Sequence, residues 1–255
     1  MNLSLYDNLA AEYKSSSQKA RVITENWIAS NMFCPRCGNA KLTHFENNRP
    51  VADFFCDNCN NQYELKSQNG LKLEKINDGA YATMIDRIMS AENPDFLFMS
   101  YSKKLWVISN LFLVPKHFFT PSIIDKRPPL AMTARRAGWV GCIINLTSIP
   151  SVGKIPIIEN GQPHSVNEVM SSIVTAEKLY IGDIGSRGWL LDVLTCVDKI
   201  NGNEFTLEEV YAFENYLVNL HPANNNVKAK IRQQLQILRD KGIIEFTARG
   251  KYRKL

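Results

Sequence analysis

Apolar and polar positions follow two different periods along the first part of the chain. Residues 17–30 and 79–89 repeat apolar side chains at helical spacing, which predicts two helices. Residues 51–55 and 63–66 are short segments bounded by turns rich in Asn and Cys, as is typical of strands. Residues 95–101 form an apolar run that indicates a buried strand. The order helix, strand, strand, helix, strand predicts an α/β core.

The last part of the chain has the pattern of three helices followed by a hairpin. Residues 186–200 carry an apolar face, and a second helix begins at Thr206 with the capping-box spacing to Glu209. Residues 227–241 form a third helix with a largely basic outer face, and residues 243–253 resemble a hairpin with a basic turn. This order predicts a winged helix, whose third helix enters the major groove of DNA while its wing contacts the backbone.

A segment rich in Pro, Gly and Asn lies between these two parts, at residues 150–185. One further short strand is expected there, at residues 155–158. We place the boundary after residue 183, which predicts one domain over residues 1–183 and a second over residues 184–255.

The charge is concentrated at the C-terminal end. The chain carries 30 Lys and Arg against 25 Asp and Glu, a net charge of +5. Residues 228–255 alone carry +7, which leaves −2 for the rest. A basic end on a nearly neutral body favours a polyanion partner such as DNA over the alternatives, a solvated basic tail or a protein-binding winged helix. No apolar run reaches the roughly 18 residues of a membrane span, and no signal peptide begins the chain, so we expect a cytoplasmic protein.

Four of the six cysteines form two CxxC pairs separated by eighteen residues. This spacing matches a closed, structural site in which four thiolates hold zinc. Without export we do not expect a disulfide, and two pairs without a βαβ pattern argue against a thioredoxin-like motif. The isolated Cys142 and Cys196 are expected in the core. The candidate zinc ligands are Cys34, Cys37, Cys56 and Cys59.

Two acids and a lysine flank the second cysteine pair. Asp53 ends one predicted strand, and Glu64 and Lys66 lie on one face of the next, so a hairpin would bring the three together. Two carboxylates, with the Leu65 main-chain carbonyl, suit Mg²⁺, and a nearby lysine suits hydrolysis of a phosphodiester. The alternative is a surface hairpin with an ordinary Glu and Lys.

Three further polar residues lie near this motif. Glu25, on the first predicted helix, is either a third acid of the site or an ordinary solvated side chain. Asn77 and Asp78 are expected to cap the second helix.

The candidate DNA contacts fall in a loop and in the winged helix. In the loop, Arg135 and Arg136 precede a Trp that can pack against a base or a methyl group, although a core Trp beside two solvated arginines remains the alternative. In the third helix, Gln side chains can read adenine and Arg can read guanine. The full set is Arg135, Arg136, Trp139, Lys228, Lys230, Arg232, Gln233, Gln236, Arg239, Arg249, Lys251 and Arg253.

Several segments together carry a family resemblance. They are NNRPVADFFC at residues 47–56, ELKS at 64–67, NDGAYATM at 77–84, ARRAGWVGC at 134–142, and the ending KIRQQLQILRDKGIIEF with RGKYRKL. With the two CxxC pairs, they resemble the DpnI restriction endonuclease family over almost the whole chain. Residues 157–178 resemble it less clearly.

The resemblance implies a type II restriction endonuclease that cuts double-stranded DNA at GATC when the adenine is N6-methylated. It implies a PD-(D/E)xK nuclease domain containing a zinc site, joined to a C-terminal winged helix, with both domains reading the methylated site. Asp53, Glu64 and Lys66 then become the catalytic set, and Trp139 a candidate methyl contact. We expect Mg²⁺ as the catalytic cofactor, zinc as a structural one, and action as a monomer.

Two other functions remain open from the sequence. One is a reader or regulator of methylated DNA without catalysis, in which the acidic motif is incidental. The other is a DNA-repair nuclease that cuts without regard to methylation.

Overall fold

The strands of the computed structural model form one large sheet and two small ones. It describes residues 1–46, 52–90 and 93–255, so Pro50 of the acidic motif lies outside the described residues. In chain order the strands are β1 (Thr43–His44), β2 (Phe54–Phe55), β3 (Gln62–Asn69), β4 (Lys75–Ala80), β5 (Asp95–Ser102), β6 (Val107–Val114), β7 (Ile124–Lys126), β8 (Gly141–Asn145), β9 (Ile155–Glu159), β10 (Gln162–Pro163), β11 (Glu204–Thr206), β12 (Ile244–Ala248) and β13 (Lys251–Lys254).

The helices pack on the large sheet and make up most of the C-terminal part. They are α1 (Ser16–Asn31), α2 (Tyr81–Met89), α3 (Val166–Glu177), α4 (Ile184–Lys199), α5 (Leu207–Tyr211), α6 (Glu214–Leu220) and α7 (Val227–Asp240). Within the described ranges, none of them is long and apolar enough to cross a membrane.

The large sheet has seven strands in the order β1-β2-β3-β5-β6-β9-β10. β3 and β5 run parallel, with Glu64 opposite Phe96, and the other neighbours are antiparallel. A parallel pair needs a crossover connection, which β4 and α2 supply here. β5 is buried from Asp95 to Tyr101, as its apolar run predicts, and it forms the centre of the core.

α1 packs on the sheet beside β3. Its apolar positions Ile23, Trp27 and Ile28 are buried. The Thr24 hydroxyl lies 3.1 Å from the Ser67 hydroxyl of β3, which ties the helix to the strand that carries the acidic motif. The turn of α1 that contains Thr24 therefore faces β3.

A second, three-stranded sheet has the order β4-β8-β7. β4 pairs antiparallel with β8, with Asp78 opposite Cys142. Asn77 and Asp78 therefore do not cap α2, and that prediction is wrong. The N-cap of α2 is Ala80, which makes no side-chain cap bond. The pairing of β4 with a strand some sixty residues away decides the conformation of this segment.

The C-terminal part is a winged helix, as predicted. α7 ends one residue earlier than expected, and β12 and β13 form the hairpin. Thr206 and Glu209 form the predicted capping box. The second predicted helix is divided into α5 and α6, and a short strand, β11, adds to the edge of β13.

α4 joins the two parts of the chain. Nearly every residue of its middle turns is buried, because it contacts the α/β part on one side and the winged helix on the other. Asp192 of α4 contacts both parts. One of its carboxylate oxygens accepts a hydrogen bond from the Ser122 hydroxyl of the α/β part at 3.1 Å, and the other lies 2.8 Å from the His221 ring nitrogen of the winged helix.

α3 is a helix that the sequence pattern does not predict. Its N-terminus is a capping box in which the Ser165 hydroxyl accepts from the Glu168 N–H, and the Glu168 carboxylate accepts from the Ser165 N–H. The segment is rich in loop-forming residues up to that cap, which explains the missed helix. The expected strand at 155–158 is present as β9.

Candidate active site and zinc centre

A cleft of about 780 Å³ opens between α1, β3 and the β5–β6 turn. Asp53, Glu64, Leu65 and Lys66 all line it, as does Glu25 from α1. The hairpin of β2 and β3 brings the motif residues to this place, because Phe54 pairs with Tyr63. Asp53 directly precedes Phe54 and Glu64 directly follows Tyr63, so the two acids lie at the same end of the pair. The structure thus brings the predicted acids and lysine together.

Asp53 is fixed in the cleft by the main chain of the next strand. Its Oδ2 accepts a hydrogen bond from the Leu65 N–H at 2.8 Å, and its own N–H donates to the Tyr63 carbonyl at 2.9 Å. Burial raises the pKa of the Asp53 carboxyl, the Leu65 N–H partly opposes this, and the nearby Glu25 raises it further. A buried carboxylate of this kind favours a cation beside it.

Glu64 and Lys66 belong to a chain of four alternating charges. The Lys66 ammonium lies 2.6 Å from Glu64 Oε1 and also binds Asp78 of β4. The second oxygen of Glu64 binds the Arg87 guanidinium of α2. Burial opposes the charge on Lys66, but Glu64 and Asp78 outweigh it and raise the Lys66 pKa. Lys66 is therefore held as a cation.

Asp78 and Arg87 are site residues that the sequence analysis missed. Asp78 reads as a helix cap because it precedes a helical pattern, but its place in β4 turns it toward Lys66. From the sequence alone, Arg87 is expected to be a solvated side chain on the exposed face of a helix. The three residues Asn77, Asp78 and Gly79 ahead of α2 are polar or small, and such a sequence does not distinguish a strand from a helix cap.

Glu25 is not the ordinary solvated side chain that one interpretation expects. Its side chain is 13% exposed, and it accepts a hydrogen bond from Arg21 at 2.6 Å while its other oxygen lies 3.3 Å from His44 Nε2. His44 of β1 therefore lies beside the cleft and contacts Glu25.

The four predicted zinc ligands converge on one point. The sulfurs of Cys34, Cys37, Cys56 and Cys59 all lie within 4.8 Å of one another, so the cluster can hold one metal ion. The Asn39 and Asn58 amides donate hydrogen bonds to the sulfurs of Cys56 and Cys37, as expected around a thiolate site. Thiolates in this number and spacing suit zinc. Cys142 and Cys196 are buried elsewhere, as predicted.

The four-cysteine cluster is attached to the central strand through one arginine. Arg36, inside the first CxxC pair, donates to the buried Asp95 of β5 at 2.7 Å and pairs with Glu177 of α3 at 2.8 Å. Asp95 also accepts from the Asn61 amide and the Lys116 N–H. Because Asp53 directly precedes β2 and Cys56 directly follows it, anchoring of the four-cysteine cluster also fixes the position of the acid.

The loop with the two arginines connects β7 to β8. Arg135 and Arg136 are exposed, and the Arg136 guanidinium lies 4.4 Å from the centre of the Trp139 ring. Trp139 is half-buried and approaches Gly141 so closely that a Cβ there would lie 2.8 Å from the ring. Trp139 is therefore neither a core residue nor fully free.

The basic residues of the winged helix differ in how they are held. Some are paired within the protein: Lys228 lies 3.4 Å from Glu214, Arg239 pairs with Asp240, and Arg253 bridges Glu204 and Glu245. Arg232 donates to the Tyr211 hydroxyl at 2.6 Å.

The remaining candidates of the winged helix lie on α7 and at the wing. Gln233 and Gln236 are exposed on α7, and Lys230 is half-buried on the same helix. Lys230 and Gln233 line a shallow hollow with the Asn224–Asn226 turn. Arg249 and Lys251 flank Gly250 at the tip of the wing, where φ is +70°. Polar and basic side chains of the winged helix thus lie on α7 and on the wing.

Two family models match the chain. The model of the DpnI family, described as a Dam-replacing family, matches residues 1–180. The model of the DpnI_C domain, described as a Dam-replacing HTH domain, matches residues 185–254.

Proposed function

Since the chain belongs to the DpnI family, we propose that it cleaves double-stranded DNA at GATC sites whose adenine is N6-methylated, with Mg²⁺ as cofactor. Membership itself indicates a methylation-dependent restriction enzyme that binds DNA. The proposal adds the recognised sequence, the metal and the residues of the site. In this proposal residues 1–183 form the nuclease domain, residues 184–255 form the winged-helix domain, and the protein acts as a monomer.

The observation that carries the proposal is the cleft with Asp53, Glu64 and Lys66 on its wall. Asp53, Glu64 and the Leu65 carbonyl offer the oxygen donors that Mg²⁺ prefers. Bound there, the ion would polarise the phosphate and lower the pKa of a bound water. Lys66 pairs with Glu64 and Asp78 and is held as a cation, and in this proposal it stabilises the negative charge that develops on the phosphate.

We propose that base reading is shared between the two domains. In this proposal Gln233 and Gln236 of α7 read adenine edges, and Arg249 and Lys251 hold the backbone. Trp139 is the candidate methyl contact of the nuclease domain. One buried methyl group contributes only about 1 kcal/mol, so reading each methyl in both domains would strengthen a weak preference.

Metal dependence is the part of the proposal that a digest tests directly. A duplex with one methylated GATC site should be cut in Mg²⁺ and stay intact in EDTA. In Ca²⁺ it should be bound, with little or no cutting. Cutting that continues unchanged in EDTA would contradict the assignment of Asp53 and Glu64 as metal ligands.

We expect Asp78→Asn to slow cleavage on the order of tenfold with little change in DNA affinity. The variant removes one of the two carboxylates that hold Lys66, and a hydrogen bond between charged groups contributes about 1.5–3 kcal/mol. Single-turnover cleavage in Mg²⁺ and binding in Ca²⁺ separate the two effects. Asp78→Glu, which keeps the charge, should restore part of the rate.

Asp125→Asn is the matched control for this variant. Asp125 lies in β7 of the same small sheet and forms its ion pair with Lys75, at 2.8 Å, whereas Asp78 forms its ion pair with Lys66. Its loss should leave the rate at the wild-type value. Equal slowing in both variants would mean that Asp78 acts on the stability of the sheet and not on Lys66.

A further inference from the structure

The cleft continues well beyond the acidic residues. It follows β3 from Glu64 through Lys66 to Gln68 and Asn69, and it ends at Lys103 and Trp106, in the turn between β5 and β6. At 3.3 Å per residue, Gln68 lies about 13 Å along the strand from Glu64. One bound metal ion and one phosphate would fill only the acidic end, so the remaining length has room for more of a ligand.

The far end of the cleft has a different charge from the acidic end. Lys19 of α1 and Lys103 line it, together with the hydroxyls of Ser16 and Ser17. Within residues 1–46, 52–90 and 93–255, no carboxylate lies within 4.0 Å of either ammonium group. These lysines therefore differ from Lys66, whose charge is already balanced, and they favour an anionic ligand.

An aromatic pair lies beside these lysines. Trp106 stacks on Tyr101 with ring centres 5.8 Å apart and planes 6° apart, and Trp106 lines the cleft. Its φ is +49°, in the left-handed region that a Trp adopts only at a cost. Strain of this kind occurs at ligand-binding positions where the surrounding structure holds it.

The turn that carries these residues is held in place from both sides. The Trp106 carbonyl accepts a hydrogen bond from the Leu5 N–H at 2.6 Å, and the Asn69 side chain accepts from the Lys103 N–H at 2.8 Å. Asn69 ends the strand that carries Glu64 and Lys66, so the turn has a fixed position relative to the acids. A fixed, basic and partly aromatic wall suits the sugar-phosphate backbone of nucleic acid.

We propose that Lys19, Lys103 and Trp106 form a binding site for the DNA backbone next to the phosphate that is cleaved. The two lysines contact phosphates of the flanking DNA, and the Trp106 ring packs against the sugar of the same strand. The site adds a third region of DNA contact to the loop of Arg135 and Arg136 and to the winged helix. It rests on the proposed function, because it assigns the direction in which the substrate leaves the acidic end.

The salt dependence of DNA binding tests this site. Each phosphate contact that is lost makes the slope of log affinity against log salt shallower by about 0.9. We expect Lys103→Ala to lose about one phosphate contact and the double variant Lys19→Ala/Lys103→Ala to lose about two. The slope should become shallower by about 0.9 and about 1.8 respectively. The measurement is anisotropy of a labelled duplex with one methylated GATC site and long flanks, titrated in Ca²⁺ at several salt concentrations.

Lys104→Ala is the matched control, because Lys104 is the exposed neighbour of Lys103 and does not line the cleft. Its slope should equal that of the wild type. If Lys103→Ala and the double variant also keep the wild-type slope, while the wild type binds and cuts DNA, the backbone site is wrong and the proposed function stands. A wild type that neither binds nor cuts DNA would overturn both.

Discussion

Asp53→Ala is expected to abolish cleavage and to leave DNA binding largely intact. Asp53 is buried, held by the Leu65 N–H at 2.8 Å, and lines the cleft with Glu64 and Lys66. Loss of a metal-binding carboxylate removes several kcal/mol of transition-state stabilisation, so the rate should fall roughly 1,000-fold or more. Cleavage in Mg²⁺ and binding in Ca²⁺, measured on the same methylated duplex, separate catalysis from affinity.

The same position also links catalysis to stability. The Asp53 pKa is raised in the folded protein, so its ionised form costs stability at any pH above its unfolded pKa, and a neutral side chain removes that cost. We expect Asp53→Asn to be inactive yet to melt, without metal, at the wild-type temperature or above. An inactive variant that melts far lower would indicate a folding defect, and full cutting by Asp53→Ala would remove Asp53 from the site.

Cys34→Ser is expected to lose zinc and most of the stability of the nuclease domain. The Cys34 sulfur is buried and lies 3.7 Å from that of Cys59. Structural zinc sites contribute about 10–16 kcal/mol of apparent binding free energy, which is comparable to the whole stability of a domain. Zinc content per chain and the melting temperature, with and without a chelator, measure both effects.

Cys142→Ala is the control for the zinc prediction. Cys142 is equally buried but lies in β8, outside the four-cysteine cluster. This variant should keep one zinc per chain, although it loses some packing. A purified wild type with no zinc, whose four clustered thiols react freely, would contradict the structural metal site.

Local patterns predicted much of the fold. The helix over residues 17–30 is present as α1, the capping box at Thr206 begins α5, and the apolar run at 95–101 is the buried strand β5. The CxxC spacing predicted a cluster whose four sulfurs do converge. These features depend on residues close to one another in the chain, so a single sequence is enough to show them.

The missed features depend on contacts between distant segments. Asp78 reaches Lys66 only because β4 pairs with β8 across more than sixty residues, and nothing local favours that strand over a helix cap. Glu25 lies beside the acids because α1 packs on β3 through Thr24 and Ser67. The charged neighbours of Lys66 can therefore be identified only from the tertiary structure.

A digest of one plasmid in two forms tests the central proposal most directly. One preparation is adenine-methylated at GATC and the other is unmethylated, and both are incubated with the wild-type protein in Mg²⁺. We expect cleavage of the methylated plasmid alone, at its GATC sites. Cleavage of both forms would keep a nuclease but contradict methyl recognition, and cleavage of neither, by protein that still binds methylated DNA, would contradict the catalytic role of Asp53, Glu64 and Lys66.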